Sequence, residues 1–141
     1  MPFKYLDHTG ESWIVASGQS LEEAFGEGAK ALFNLMVPLA QIEPRESRPV
    51  TCSAESLDRL FFEWLNELIF IKDVEGLIFC KFELSPITRV EMGYTLEARV
   101  HGELFDPDIH DGHVDVKAAT YSELTCEQTS EGYEGGWVHD I

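Results

Sequence analysis

Two stretches of the chain repeat apolar residues with a helical period. Leu57, Leu60, Phe61, Trp64, Leu65, Leu68 and Ile69 recur at i, i+3, i+4, i+7, i+8, i+11 and i+12. Asp58, Arg59, Glu63, Asn66 and Glu67 take the opposite side, which is the pattern of an amphipathic helix with one buried face. Trp64 lies inside that stripe and is expected in the core. In the earlier stretch, Leu21, Ala24, Phe25, Ala29, Leu32, Phe33 and Met36 share a face. Ser20 and Glu23 stand in front with the spacing of a capping box, in which the hydroxyl accepts from a backbone N–H of the first turn. Pro38 stops this helix, because its ring has no N–H and clashes with the preceding turn.

The remaining apolar segments read as strands. Phe3 to Leu6 and Ser12 to Ala16 flank Asp7-His8-Thr9-Gly10-Glu11, which reads as a tight, acidic turn. Arg45 to Ala54 reads as an exposed or edge strand, since Pro49 removes a ladder donor. Leu77 to Leu84, Tyr94 to Gly102, Val116 to Glu127 and Gly132 to the end complete the set. The order β-β-α-β-α-β-β-β-β does not alternate strictly. It predicts one α+β domain over residues 1–141, with two helices packed on a mainly antiparallel multi-stranded sheet.

Composition sharpens this picture. No apolar run approaches the length that spans a bilayer. Met1-Pro2-Phe3-Lys4 lacks a basic-then-apolar leader, so a cytoplasmic protein without membrane contact is expected. Cys52, Cys80 and Cys126 form an odd, widely spaced set, which reads as three reduced, mostly buried thiols. The chain carries 26 Asp and Glu against 10 Lys and Arg, a net charge of −16. Such a surface repels phosphate backbones, so strong direct nucleic-acid binding is not expected. A role near RNA would run through a basic protein partner. The same acidity also serves solubility alone.

The familiar phosphate-binding, dinucleotide-binding, nucleophile-elbow and H-E-x-x-H motifs are absent from the sequence. Four sets of residues carry chemistry instead. Asp7, His8 and Glu11 could bring hard oxygen ligands together in a turn, although such turns also serve as structural hydrogen-bonded devices. Asp140 beside the main-chain carboxylate of Ile141 supplies two anionic oxygens in one place. Lys117 is a lone cation in an apolar strand, and it either faces solvent or neutralises an acidic cluster. His110 and His113 have a spacing zinc tolerates, but Pro107, Gly112 and three Asp residues favour a solvated loop.

Several segments resemble the archease family in order and spacing. They are Tyr5-Leu6-Asp7-His8-Thr9, Leu21-Glu22-Glu23-Ala24-Phe25 and Ala31-Leu32-Phe33-Asn34-Leu35-Met36. Further on come Trp64-Leu65-Asn66-Glu67-Leu68-Ile69, Gly102-Glu103, Val116-Lys117-Ala118-Ala119-Thr120-Tyr121 and Asp140-Ile141. The resemblance implies an α+β fold and a helper, itself no enzyme, for an RNA-splicing ligase of the RtcB type. That ligase joins tRNA halves using GTP and Mn²⁺, and the helper promotes its guanylylation and repeated turnover. Carried over by position, the family's metal ligands are Glu11, Asp140 and Ile141, the last through its main-chain carboxylate. The implied cofactor is a divalent ion, Ca²⁺ or else Mg²⁺ or Mn²⁺. Gly10-Glu11 stands where the family has Ala-Asp, so the carboxylate reaches one methylene further.

Two other readings follow. The family has also been linked to a tRNA cytosine methyltransferase as a chaperone, which would make that enzyme a second partner. A metal-dependent hydrolase would use Asp7, Glu11 and Asp140 around a metal-bound water, with His8 as base.

Overall fold

The chain opens as a hairpin. Strands β1 (Phe3–His8) and β2 (Glu11–Gly18) pair antiparallel from Phe3↔Ala16 to His8↔Glu11. The acidic turn expected over Asp7 to Glu11 is therefore narrower than the sequence suggested. Asp7, His8 and Glu11 are strand residues, and only positions 9 and 10 lie between the strands. The backbone groups of these polar residues need ladder partners as much as those of apolar ones, so side-chain polarity is a poor guide to a hairpin's end.

The computed structural model describes residues 3–8, 11–110, 118–119, 125–129 and 132–140, with side chains described over 17–110. Helix α1 (Leu21–Met36) begins where Ser20 Oγ accepts from the Glu23 N–H at 3.1 Å. It ends with the Val37 N–H on the Phe33 carbonyl at 2.8 Å, one residue before Pro38. The Glu22 side chain reaches out of its first turn to accept from the Ile87 N–H at 2.7 Å. A short 3-10 turn at Leu39–Gln41 leads to β3 (Glu46–Ala54).

Helix α2 (Leu57–Glu75) is capped by Ser56, whose Oγ accepts from the Arg59 N–H at 3.2 Å. It runs past Ile69, the last residue of the apolar stripe, and stops at Gly76. There φ is 72°, a left-handed conformation that glycine adopts at little cost, and the Gly76 N–H closes the helix on the Lys72 carbonyl at 2.8 Å. Strands β4 (Leu77–Leu84), β5 (Thr88–Val90), β6 (Gly93–Leu104), β7 (Ala118–Ala119), β8 (Thr125–Thr129) and β9 (Gly132–Asp140) follow. The single strand expected over 116–127 is represented by β7 and β8, and residues 116, 117 and 120–124 lie outside the described residues.

Every described strand pairing is antiparallel, but among the described residues the strands form two sheets rather than one. The first runs β1-β2-β9-β7, with β8 also on β9. The second runs β3-β6-β4, with β5 also on β6, so β3 is an edge as Pro49 implied. The helices join the sheets. Helix α1 packs on β2 and β9 of one sheet and β4 of the other, while α2 packs on β3, β6, β7 and β8. The core between them is aromatic: Phe25 lies 5.0 Å from Phe61 between ring centres, and Phe33 meets Phe79 edge-on at 5.5 Å. Trp64 is fully buried, and its indole N–H donates to the Phe25 carbonyl at 3.0 Å, tying α2 to α1.

The β4–β6 ladder shifts register between Phe79 and Lys81. At this irregularity Gly102 lets the two backbones close up. A Cβ placed there would stand 1.8 Å from the Ile78 carbonyl oxygen, closer than any side chain tolerates. That approach fixes the position of the next residue, Glu103.

Candidate functional site

Two of the candidate metal-ligand positions implied by the family resemblance, Glu11 and Asp140, lie at strand ends of the first sheet. The β2–β9 ladder runs from Gly18↔Tyr133 to Ser12↔His139, so the next position on each strand is Glu11 and Asp140. Glu11 also pairs with His8 across β1, and Asp140 pairs with Ala118 of β7. Four strand ends thus meet along one cross-strand row: His8, Glu11, Asp140 and Ala118. Asp7 sits one step back, opposite Ser12. The row gathers three of the candidate positions from remote parts of the chain by backbone pairing. Two of its members carry carboxylates, the donor chemistry hard divalent cations favour. Ile141 and Lys117 lie outside the described residues, as do the side chains of Asp7, His8, Glu11 and Asp140. Among the described residues no three His, Cys, Asp or Glu side chains converge as a metal site.

A second polar assembly, which the sequence did not reveal, is described in full. Glu103 is 8% exposed and His110 is 2% exposed. Glu103 Oε2 accepts from the Glu43 N–H at 2.8 Å and lies 2.9 Å from His110 Nε2, while Oε1 accepts from Arg45 Nε at 3.2 Å. His110 Nδ1 accepts from the Asp106 N–H at 2.9 Å, so this nitrogen carries no proton and Nε2 is the donor to Glu103. The ring stacks on Phe105 at 5.7 Å. The Glu43 N–H, then the His110 donor and the Arg45 guanidinium, hold the Glu103 carboxyl below the usual glutamate range. The expected solvated loop is thereby corrected at His110, whose imidazole is buried and twice hydrogen-bonded. His113 lies outside the described residues. Glu103 continues the polar alternation of Thr95, Glu97, Arg99 and His101 along β6, so local sequence gave no signal that it is buried.

Their surroundings push both described thiols toward the protonated form. Burial pushes Cys52 up to about 12, with Glu67 and Glu63 adding to the shift. Cys80, half-buried, is also raised, by burial first and then by Glu43 and Glu103. Both are free, as the cysteine spacing implied, and the Cys126 side chain lies outside the described residues.

Comparison with known proteins settles the family. The model of the archease protein family matches residues 3–141. The chain belongs to the archease family. The archease of Pyrococcus abyssi is 39% identical over 130 residues, covering 92% of this chain and 91% of that protein. The archease of Methanosarcina acetivorans is 32% identical over 139 residues, covering 99% and 95%. A solution structure of a Methanobacterium thermoautotrophicum protein superposes with a TM-score of 0.87 at 29% identity over 99% of both chains. A crystal structure of a Thermotoga maritima archease, described as a possible chaperone, gives 0.61 at 21% identity, over 98% of this chain and 96% of that one. At that identity the likeness speaks to the fold, and the α+β arrangement of two helices on antiparallel sheet is the archease fold. No helix among the described residues is long and apolar enough to cross a membrane.

Proposed function

We propose that this archease is a metal-binding activator, not itself an enzyme, of an RNA-splicing ligase of the RtcB type. It promotes guanylylation of the ligase and its repeated turnover in tRNA splicing, in the cytoplasm. The observation that carries the reading is the β2–β9 register, which sets the strand ends bearing Glu11 and Asp140 side by side. Family membership and the net charge of −16 support the same reading, since an acidic helper suits a basic, RNA-binding enzyme.

In this reading Glu11, Asp140 and the main-chain carboxylate of Ile141 hold a divalent cation, Ca²⁺, Mg²⁺ or Mn²⁺. An all-oxygen anionic set favours such hard ions over zinc. When bound, the ion supplies a concentrated positive charge at the acidic end of the sheet. Asp7, His8 and Lys117 are the residues proposed to shape that end toward the partner, with Lys117 balancing carboxylates by its ammonium.

The test is ligation of tRNA halves by the ligase from the same source, at substrate excess, with and without this protein. Activation means many products per ligase molecule only when the protein is present. Stimulation of a tRNA cytosine methyltransferase in place of the ligase would assign the helper to that other enzyme. Hydrolysis by the protein alone would overturn the non-enzymatic reading.

A further inference from the structure

Most of the large apolar side chains left exposed among the described residues gather in one region. Phe70 (59% exposed) and Val74 (64%) stand one turn apart on α2, on the side away from its buried stripe. Leu104 (57%) reaches the same helix end, its Cδ2 lying 3.9 Å from where a Cβ on Gly76 would be. Phe105 is bound to that end too, its N–H donating to the Gly76 carbonyl at 2.9 Å. Ile109 belongs to the turn that follows, closed by its N–H on the Asp106 carbonyl at 3.0 Å. The turn is not loose. The buried Glu103–His110 bond and the stacking of His110 on Phe105 hold it against β6.

A fixed apolar surface in water signals an interaction site when its side chains are contiguous. Its rim identifies the occupant. Asp73 and Glu75 are paired with Lys72 at 3.0 Å and Arg48 at 2.9 Å, so the negative charge of the rim rests on Asp106 and Asp108 in the turn and on the carbonyl end of α2, where the helix dipole is negative. Acidic rims repel a second copy of a chain with net charge −16, and they repel nucleic acid and anionic lipid alike. A basic protein surface bearing an apolar anchor fits both the patch and its rim.

We propose that Phe70, Val74, Leu104, Phe105 and Ile109 form a docking surface for a basic protein partner, built from residues other than the Glu11 and Asp140 strand ends. The proposal rests on the ligase-activator reading, with the ligase as that partner. Its role is affinity, with the apolar residues as central anchors and the acids steering encounter.

The test is calorimetric titration of the purified ligase with wild-type protein, a Phe70→Ser/Leu104→Ser variant, an Ile109→Ser variant outside the helix, and a Met92→Ser control. Met92 is 81% exposed on the β5–β6 hairpin. The two patch variants should bind at least about tenfold more weakly, with unchanged circular dichroism, while the control stays within about twofold. Wild-type affinity in both patch variants overturns the docking surface and leaves the activator reading standing. Absence of wild-type binding overturns both. Dimerisation of the wild type, lost in the patch variants, overturns the basic partner in favour of a second copy.

Discussion

Glu103 and His110 meet inside the protein, carboxylate oxygen to ring nitrogen at 2.9 Å, and through them the 105–110 turn is fastened to the segment before β3. The bond has a pH signature. The folded state holds the Glu103 carboxyl below its ordinary value of 4.5, chiefly through the Glu43 N–H. The unfolded chain therefore takes up the proton first. The stabilisation is complete above the ordinary value and is lost as pH falls through the lowered folded value. Melting temperature should fall as pH drops through and below the glutamate range. Glu103→Gln should lower stability at neutral pH by about 1–2 kcal/mol and flatten that acid limb. Arg45 contributes little to this figure, because its side chain is 71% exposed and screened. Melting curves of both proteins across the acid range check it.

Gly102 sets the stage for that pair. Gly102→Ala puts a methyl group into the Ile78 carbonyl oxygen, and the only relief is to part β4 from β6. A loss of about 3 kcal/mol is expected, read as a lower urea midpoint.

The helices were legible in the sequence because periodicity there reports burial directly. Leu60, Phe61, Trp64, Leu65, Leu68 and Ile69 are all buried as the stripe required. Ser20 caps α1 as its spacing implied. The division into two sheets was not legible, since alternation says that a segment is a strand but not which strand it joins. His110 was misread for a related reason. Its neighbours Asp106, Pro107 and Asp108 are turn residues, while its burial comes from Glu103 on β6 and the Phe105 ring, contacts that local polarity does not report. At the candidate site, Glu11 was read in an acidic turn and Asp140 beside the terminal carboxylate, and the family resemblance joined them as a ligand set. Their adjacency is a property of the β2–β9 register, which a sequence does not contain.

The metal reading predicts a separation of binding from folding. Glu11→Gln and Asp140→Ala should each weaken Ca²⁺ or Mn²⁺ binding by about tenfold or more, because a hard cation's affinity follows the number of charged oxygen ligands. Both residues end their strands, so the metal-free melting temperature should stay near that of the wild type. A carboxy-terminal tag, which turns the Ile141 carboxylate into an amide, should behave likewise. Calorimetric metal titration beside circular dichroism checks all three.

Lys117 should matter to function more than to stability. Lys117→Ala is expected to lower ligase stimulation by at least about tenfold while the fold stays intact, as for a cation placed to balance carboxylates. Parallel melting and ligation assays check this, and equal losses in both would make the residue structural.

The central claim is activation of the ligase through the acidic strand ends, and a multiple-turnover ligation assay tests it most directly. A limiting amount of ligase is mixed with excess tRNA halves, GTP and Mn²⁺, with wild-type protein, with Asp140→Ala or with neither. The account predicts many ligations per ligase molecule with the wild type, and close to one with Asp140→Ala or without the protein. Equal product in the three reactions, from a ligase shown to be competent for a first turnover, would contradict it.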